Sequence, residues 1–144
     1  MIRPCHFFSN PQTAESNKFQ GRSNLSDNEL QEAAVNEFDN LVSKLREADL
    51  NVCVFEDTPD PVTPDSVFPN NWVSFHNDGT VVLYPMEAEN RRLERRIDII
   101  DSLRGEYGFN VKKIINMSYL EDKQEYLEGT GSMILDHTNQ IAYA

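Results

Sequence analysis

Trp72-Val73-Ser74-Phe75-His76-Asn77-Asp78-Gly79-Thr80-Val81-Val82-Leu83-Tyr84 is the stretch on which the fold turns. Two runs rich in β-branched and aromatic residues flank Asp78-Gly79, a dipeptide that supplies the positive φ angles of a two-residue hairpin turn. The spacing predicts antiparallel strands over Trp72 to His76 and Thr80 to Tyr84. Downstream, a charged helix is expected from about Glu87 to Leu103, with Leu93, Ile97, Ile100 and Leu103 inward and Gly105 near its C-terminal cap. Val111 to Ile115 then reads as a strand, which completes a hairpin-helix-strand order.

Working outward, the N-terminal side holds a similar but shorter order. Met1 to Phe8 reads as a first strand, and the polar stretch Thr13 to Asn28 as a long surface loop of the kind that serves as a lid or binding loop. Ser26 and Glu29 have the spacing of a capping box. From there Leu30, Ala34, Phe38, Leu41, Leu45 and Ala48 form one apolar stripe on a charged helix. Val52 to Phe55 is a further strand, and Asp57 to Pro64 contains three prolines that forbid regular structure. On the C-terminal side, Tyr119 to Tyr126 reads as a short helical turn and Gly129 to Gly131 interrupts the pattern. Met133 to Leu135 and Ile141 to Tyr143 then form a closing hairpin. The whole is an α/β repeat of one helix with several short strands. The chain stops on Ile141-Ala142-Tyr143-Ala144, inside an apolar strand whose open edge is a pairing hazard, so residues 1–144 are expected to be a truncated piece prone to self-association there.

Composition excludes some partners. Thirteen Lys and Arg against 24 Asp and Glu give a net charge of −11, which repels nucleic-acid backbones and anionic lipid surfaces. No apolar stretch approaches the length of a membrane span or a secretory signal. Cys5 and Cys53 allow at most one bridge, and a cytoplasmic setting is expected. Both thiols sit where a cysteine is usually an inert core filler. Three scattered histidines without paired cysteines make no metal site, and nothing calls for a cofactor.

Three stretches carry candidate chemistry. Asp65-Ser66-Val67-Phe68-Pro69-Asn70-Asn71-Trp72 offers a carboxylate, two carboxamides and two aromatic rings, a set able to grip a planar polar group. The same residues also suit an Asn-rich turn anchored by Phe68 and Trp72. Leu127-Glu128-Gly129-Thr130-Gly131-Ser132 places an acid before two glycines, suited to close ligand approach or simply to a turn that needs glycine φ angles. Asn90-Arg91-Arg92-Leu93-Glu94-Arg95-Arg96 offers a carboxylate clamp on an otherwise solvated helix face. His137 beside Asp136 suits a proton shuttle or an exposed turn. Ser132, Asp136 and His137 have the letters of a triad without its geometry.

Taken together, Phe68-Pro69-Asn70-Asn71-Trp72, then Pro85-Met86 leading to Asn90-Arg91-Arg92 and Glu94, then Leu127-Glu128-Gly129-Thr130-Gly131, resemble the arginine deiminase and amidinotransferase (pentein) superfamily. The opening, Arg3-Pro4 through Asn10, Thr13, Asn17 and Phe19-Gln20, resembles that of arginine-deiminase-related and citrulline-utilisation hydrolases. The resemblance implies an α/β propeller of five ββαβ-type units, of which this chain supplies roughly the first two to three. It also implies C–N hydrolysis on a guanidino or ureido amino acid by a Cys nucleophile and a His acid–base, with acidic residues holding the substrate nitrogens. Carried across, Glu128 matches the acid before the double glycine, and Phe68 the ring beside the substrate. Asn71 stands where many members have a substrate-binding Asp, with Asp65 and Asn70 alongside, and Arg91 approximately overlays the carboxylate-binding Arg.

The departures have chemical consequences. A neutral Asn71 grips a cationic guanidinium less well and suits a ureido group better. Thr130-Gly131 replaces the usual Gly-Asp. The nucleophilic Cys and catalytic His of the family match nothing here, so this chain alone is expected to be inactive. An amidinotransferase fragment, or a non-catalytic acidic ligand-binding or interaction domain, are the alternatives.

Overall fold

In the computed structural model, residues 1–18, 20, 21 and 23–144 are described; Phe19, quoted above in the opening motif, lies outside them, as does Arg22. The chain divides into two units, Met1–Phe68 and Pro69–Ala144.

The first unit is a β-α-β arrangement. Strand β1, Ile2–Arg3, is far shorter than the expected strand over Met1 to Phe8, because Pro4 has no N–H to continue a ladder. It pairs in parallel with β2, Phe55–Glu56, through Ile2↔Phe55 and Arg3↔Glu56. Between them runs α1, Asp27–Glu47, whose capping box forms as expected, with Ser26 Oγ accepting from the Glu29 N–H and Glu29 Oε2 from the Ser26 N–H. The buried face of α1 is centred on Phe38 and Val42 and leaves Leu41 half exposed, a rotation from the expected stripe. Spacings of three residues undershoot a full turn of 3.6, so Leu41 drifts off the face that Phe38 and Val42 share. The long polar loop is tied by side chains: Asn10, fully buried, donates to Asp65 Oδ2 at 2.7 Å, and Gln20 donates to the Asn10 carbonyl and accepts from Thr13 Oγ1.

The second unit contains the ββαβ order complete. Strands β3, Val73–Phe75, and β4, Thr80–Leu83, pair antiparallel through Val73↔Leu83, Ser74↔Val82 and Phe75↔Val81. Their connection is one residue longer than Asp78-Gly79 alone predicts. The Gly79 N–H donates to the His76 carbonyl and the His76 N–H to the Thr80 carbonyl, so Asn77, Asp78 and Gly79 all lie in the turn, with Gly79 at φ +87°. Asp78 locks it by accepting from the Thr80 N–H at 2.8 Å and hydroxyl at 3.0 Å, which holds its carboxyl below the usual range.

The expected single helix is two: α2, Glu89–Arg92, and α3, Ile97–Gly105. The backbone is extended at Arg96, and the break shifts the helical phase. Ile99, Ile100 and Leu103 are buried, whereas Leu93 and Ile97, expected inward, are exposed. Strand β5, Lys113–Asn116, lies parallel to β4, giving the sheet order β3-β4-β5. After a 3₁₀ turn over Ser118–Lys123 comes a one-turn helix, α4, Gly129–Ser132, where the glycines were expected only to interrupt. The closing hairpin forms from β6, Ile134–Asp136, and β7, Ile141–Tyr143. Among the described residues no helix is long and apolar enough to cross a membrane.

Candidate functional site

Glu128 is the N-cap residue of α4, and the second unit converges on its carboxylate. Oε1 accepts from the Glu87 backbone N–H at 3.2 Å. Oε2 accepts from Asn71 Nδ2 and from Arg91 Nη1, both at 3.5 Å. Those two contacts are at the long limit for a hydrogen bond, so the carboxylate is aimed but not saturated.

Asn71 reaches Glu128 because the 3₁₀ turn Pro69–Asn71 packs against α4. Asn70 Nδ2 donates to Thr130 Oγ1 at 3.0 Å. The glycines are what permit this approach. A β-carbon on Gly129, whose φ is +37°, would strike the Asn70 carbonyl oxygen, and one on Gly131 would strike the Asn71 carboxamide. Gly129 thus has the special φ angle considered for this segment, and the close approach there is by the Asn70 backbone.

The arginine cluster is not a solvated face. Arg91 is buried and its Nε and Nη2 each donate to Glu94 at 3.0 Å. Arg92 donates to the Met86 and Glu87 carbonyls and lies over the Tyr126 ring. Arg95 forks onto Glu121, which also accepts from the Met86 N–H at 2.8 Å. Arg92, Arg95 and Glu121 thereby brace the segment that carries the Glu87 N–H to Glu128. Arg96 pairs with Asp98, holding that carboxyl below its usual range.

Of the residues picked from sequence, Asn70, Asn71, Arg91 and Glu128 come together in this unit. Asp65 and Phe68 belong to the first unit, where Asp65 accepts from Asn10 and Phe68 is exposed. Thr130 and Glu94 stand in the sequence only as letters of motifs; the Arg91-x-x-Glu94 spacing, one helical turn, is the signal for the pair. Asp136 is engaged by Asn139, whose N–H and side-chain amide donate at 3.0 and 2.7 Å and lower its pKa. His76 bonds Ser74, which bonds Tyr84, and the His76 and His137 rings stand 6.2 Å apart edge to face. Among the described residues no group of three or more His, Cys, Asp and Glu could hold a metal ion.

The profile of the family described as N,N dimethylarginine dimethylhydrolase, eukaryotic, matches residues 3–144. The chain belongs to this family. No curated protein matches the dimethylarginine dimethylhydrolase-family chain in sequence. Among solved structures, unliganded AgrE superposes with a TM-score of 0.60 at 22% identity, covering 100% of this chain and 18% of AgrE. The N-terminal domain of ArgZ, an arginine dihydrolase of the ornithine–ammonia cycle in Cyanobacteria, superposes at 0.56 and 23% identity, with 46% of that chain covered. At these identities the likeness is one of fold, and it is the pentein fold that the resemblance implied. The chain thus spans under a fifth of AgrE and just under half of the ArgZ domain.

Proposed function

We propose that residues 1–144 are the N-terminal part of one pentein-type catalytic domain, and that the full enzyme hydrolyses a C–N bond in the guanidino or ureido group of an arginine- or citrulline-like amino acid. The observation that carries this reading is the Glu128 carboxylate, aimed by Glu87, Asn71 and Arg91 through bonds long enough to leave it capacity for a ligand's N–H groups. Family membership supports it, as do the fold relatives: a mutant of AgrE has been solved with L-arginine, and ArgZ is an arginine dihydrolase.

In this reading Glu128 accepts the substrate's N–H donors, and Asn70 and Asn71 supply neutral carboxamide partners. Arg91 acts beside Glu128, and for Phe68 and Asp65, in the first unit, a substrate-binding role rests on the family resemblance alone. Attack at the central carbon expels ammonia or an amine, and water completes the substitution. The nucleophilic Cys and acid–base His belong to the remainder of the enzyme. The two free thiols, Cys5 and Cys53, fit a cytoplasmic setting, and the exposed β6–β7 hairpin is a surface for self-association.

The test assays the chain, and a version extended through its gene's natural stop codon, against arginine, citrulline and N,N-dimethylarginine, following ammonia, dimethylamine and ornithine. Turnover by the extended protein alone, lost in Glu128→Gln, is the expected result. A gene that stops at Ala144 and yields a folded, inert chain would replace the enzyme reading with that of a binding module.

A further inference from the structure

We propose that Glu94 is a positioning residue, which holds the Arg91 guanidinium so that Glu128 stays an open acceptor for the ligand. The inference rests on the ligand-binding role proposed for Glu128. Arg91 and Glu94 stand one helical turn apart, with side chains 7% and 0% exposed, and meet fork to fork through two bonds of 3.0 Å. A carboxylate so far from water is costly unless paired, and Arg91 supplies it with two charge-assisted bonds. The third guanidinium nitrogen, Nη1, lies 3.5 Å from Glu128 Oε2, and the Glu128 side chain is 21% exposed.

Attraction between charges weakens with separation and with access to water. The nearer and drier Glu94 therefore takes most of the Arg91 charge, and Glu128 keeps its own. The three groups together carry a single negative charge, facing outward at Glu128, which favours a cationic ligand. With Glu94 neutralised, Arg91 loses its two shortest acceptor bonds and its attraction to Glu128 strengthens. A closed Arg91–Glu128 pair then competes with a guanidinium ligand for the same two oxygens. Glu94 in this way sets the charge preference of a ligand it does not touch.

The test titrates L-arginine and L-citrulline into the full chain as wild type, Glu94→Gln, Glu94→Asp, Arg91→Gln and the Arg91→Gln/Glu94→Gln double variant, with circular dichroism of each. Glu94→Gln is expected to weaken arginine binding roughly tenfold, within the coupling range of contacting residues, while changing citrulline binding little. Glu94→Asp should recover most of the loss, and Glu94→Gln should add nothing in the Arg91→Gln background. Equal losses for both ligands, or additive losses with Arg91→Gln, overturn the proposal, since a merely structural role lowers both ligands alike. So does a fold lost in the single variants but regained in the double variant with wild-type binding, because the pair then does nothing but hold the fold. The ¹³C signal of the Glu128 side-chain carboxyl, read without ligand, provides an independent measure. It should move in Glu94→Gln, and an unmoved signal refutes the positioning role. If the wild type binds neither amino acid, the functional reading fails, and the Glu128 signal still decides the place of Glu94.

Discussion

A β-carbon added at Gly131 meets the Asn71 carboxamide, the far end of a side chain that can move, whereas one at Gly129 meets the Asn70 backbone carbonyl, which cannot easily do so. Gly131→Ala should therefore leave the fold intact and displace Asn71 from Glu128, lowering arginine or citrulline affinity with little change in melting temperature. A calorimetric titration beside a thermal melt checks it; loss of stability with affinity retained would show that Asn71 has no part in the site. Asp78 supports a second prediction. Its folded pKa lies below the ordinary value of about 3.9 because Thr80 donates two hydrogen bonds to the carboxylate. The stability this confers is present above the unfolded pKa and lost as pH falls through the folded one. Acid unfolding of Asp78→Asn should show a shallower dependence on pH below that ordinary value than the wild type does. At this scale the sequence is informative where one residue type has one use, as at Ser26. It is uninformative about the Arg91–Glu94 pair, because an Arg and a Glu one turn apart look the same on a wet helix face as in a dry interior.

The elements differ in how their ends are set. Helix α1 starts where Ser26 and Glu29 exchange hydrogen bonds with each other's backbone, a local device that a short stretch of sequence displays completely. Ser26→Ala should cost about 1 kcal/mol, visible as a lowered midpoint in urea with an unchanged slope; a changed slope would mean that more than the helix end had loosened. The division of α2 from α3 has no such local mark. Leu93, Ile97, Ile100 and Leu103 keep helical spacing straight through it, yet Arg95 leaves the helix to fork onto Glu121, far along the chain, and Arg96 turns to Asp98. Tertiary ion pairing overrides periodicity there, so the apolar spacing does not carry the phase of the buried face. The turn between β3 and β4 was placed correctly and its length was not, since Asp78-Gly79 serves a three-residue connection as well as a two-residue one.

For the chain as a whole, exposed apolar surface and net charge oppose one another. Ile134, Ile141 and Tyr143, on the two strands of the last hairpin, are 73%, 45% and 55% exposed, and Ile114 and Ile115 on β5 are also open. Exposed apolar surface of this kind commonly marks a contact with other protein, and an exposed strand edge can pair with another copy. The net charge of −11 keeps copies apart at low ionic strength, and salt screens that repulsion within about 10 Å at 0.1 M. Self-association should therefore rise with salt, opposite to the behaviour of an assembly held by ion pairs. Sedimentation velocity across a salt series checks the sign, and Ile134→Lys with Ile141→Lys should keep the chain monomeric throughout. Association that weakens with salt, or that persists in the double-lysine variant, would locate the contact elsewhere than on the β6–β7 hairpin.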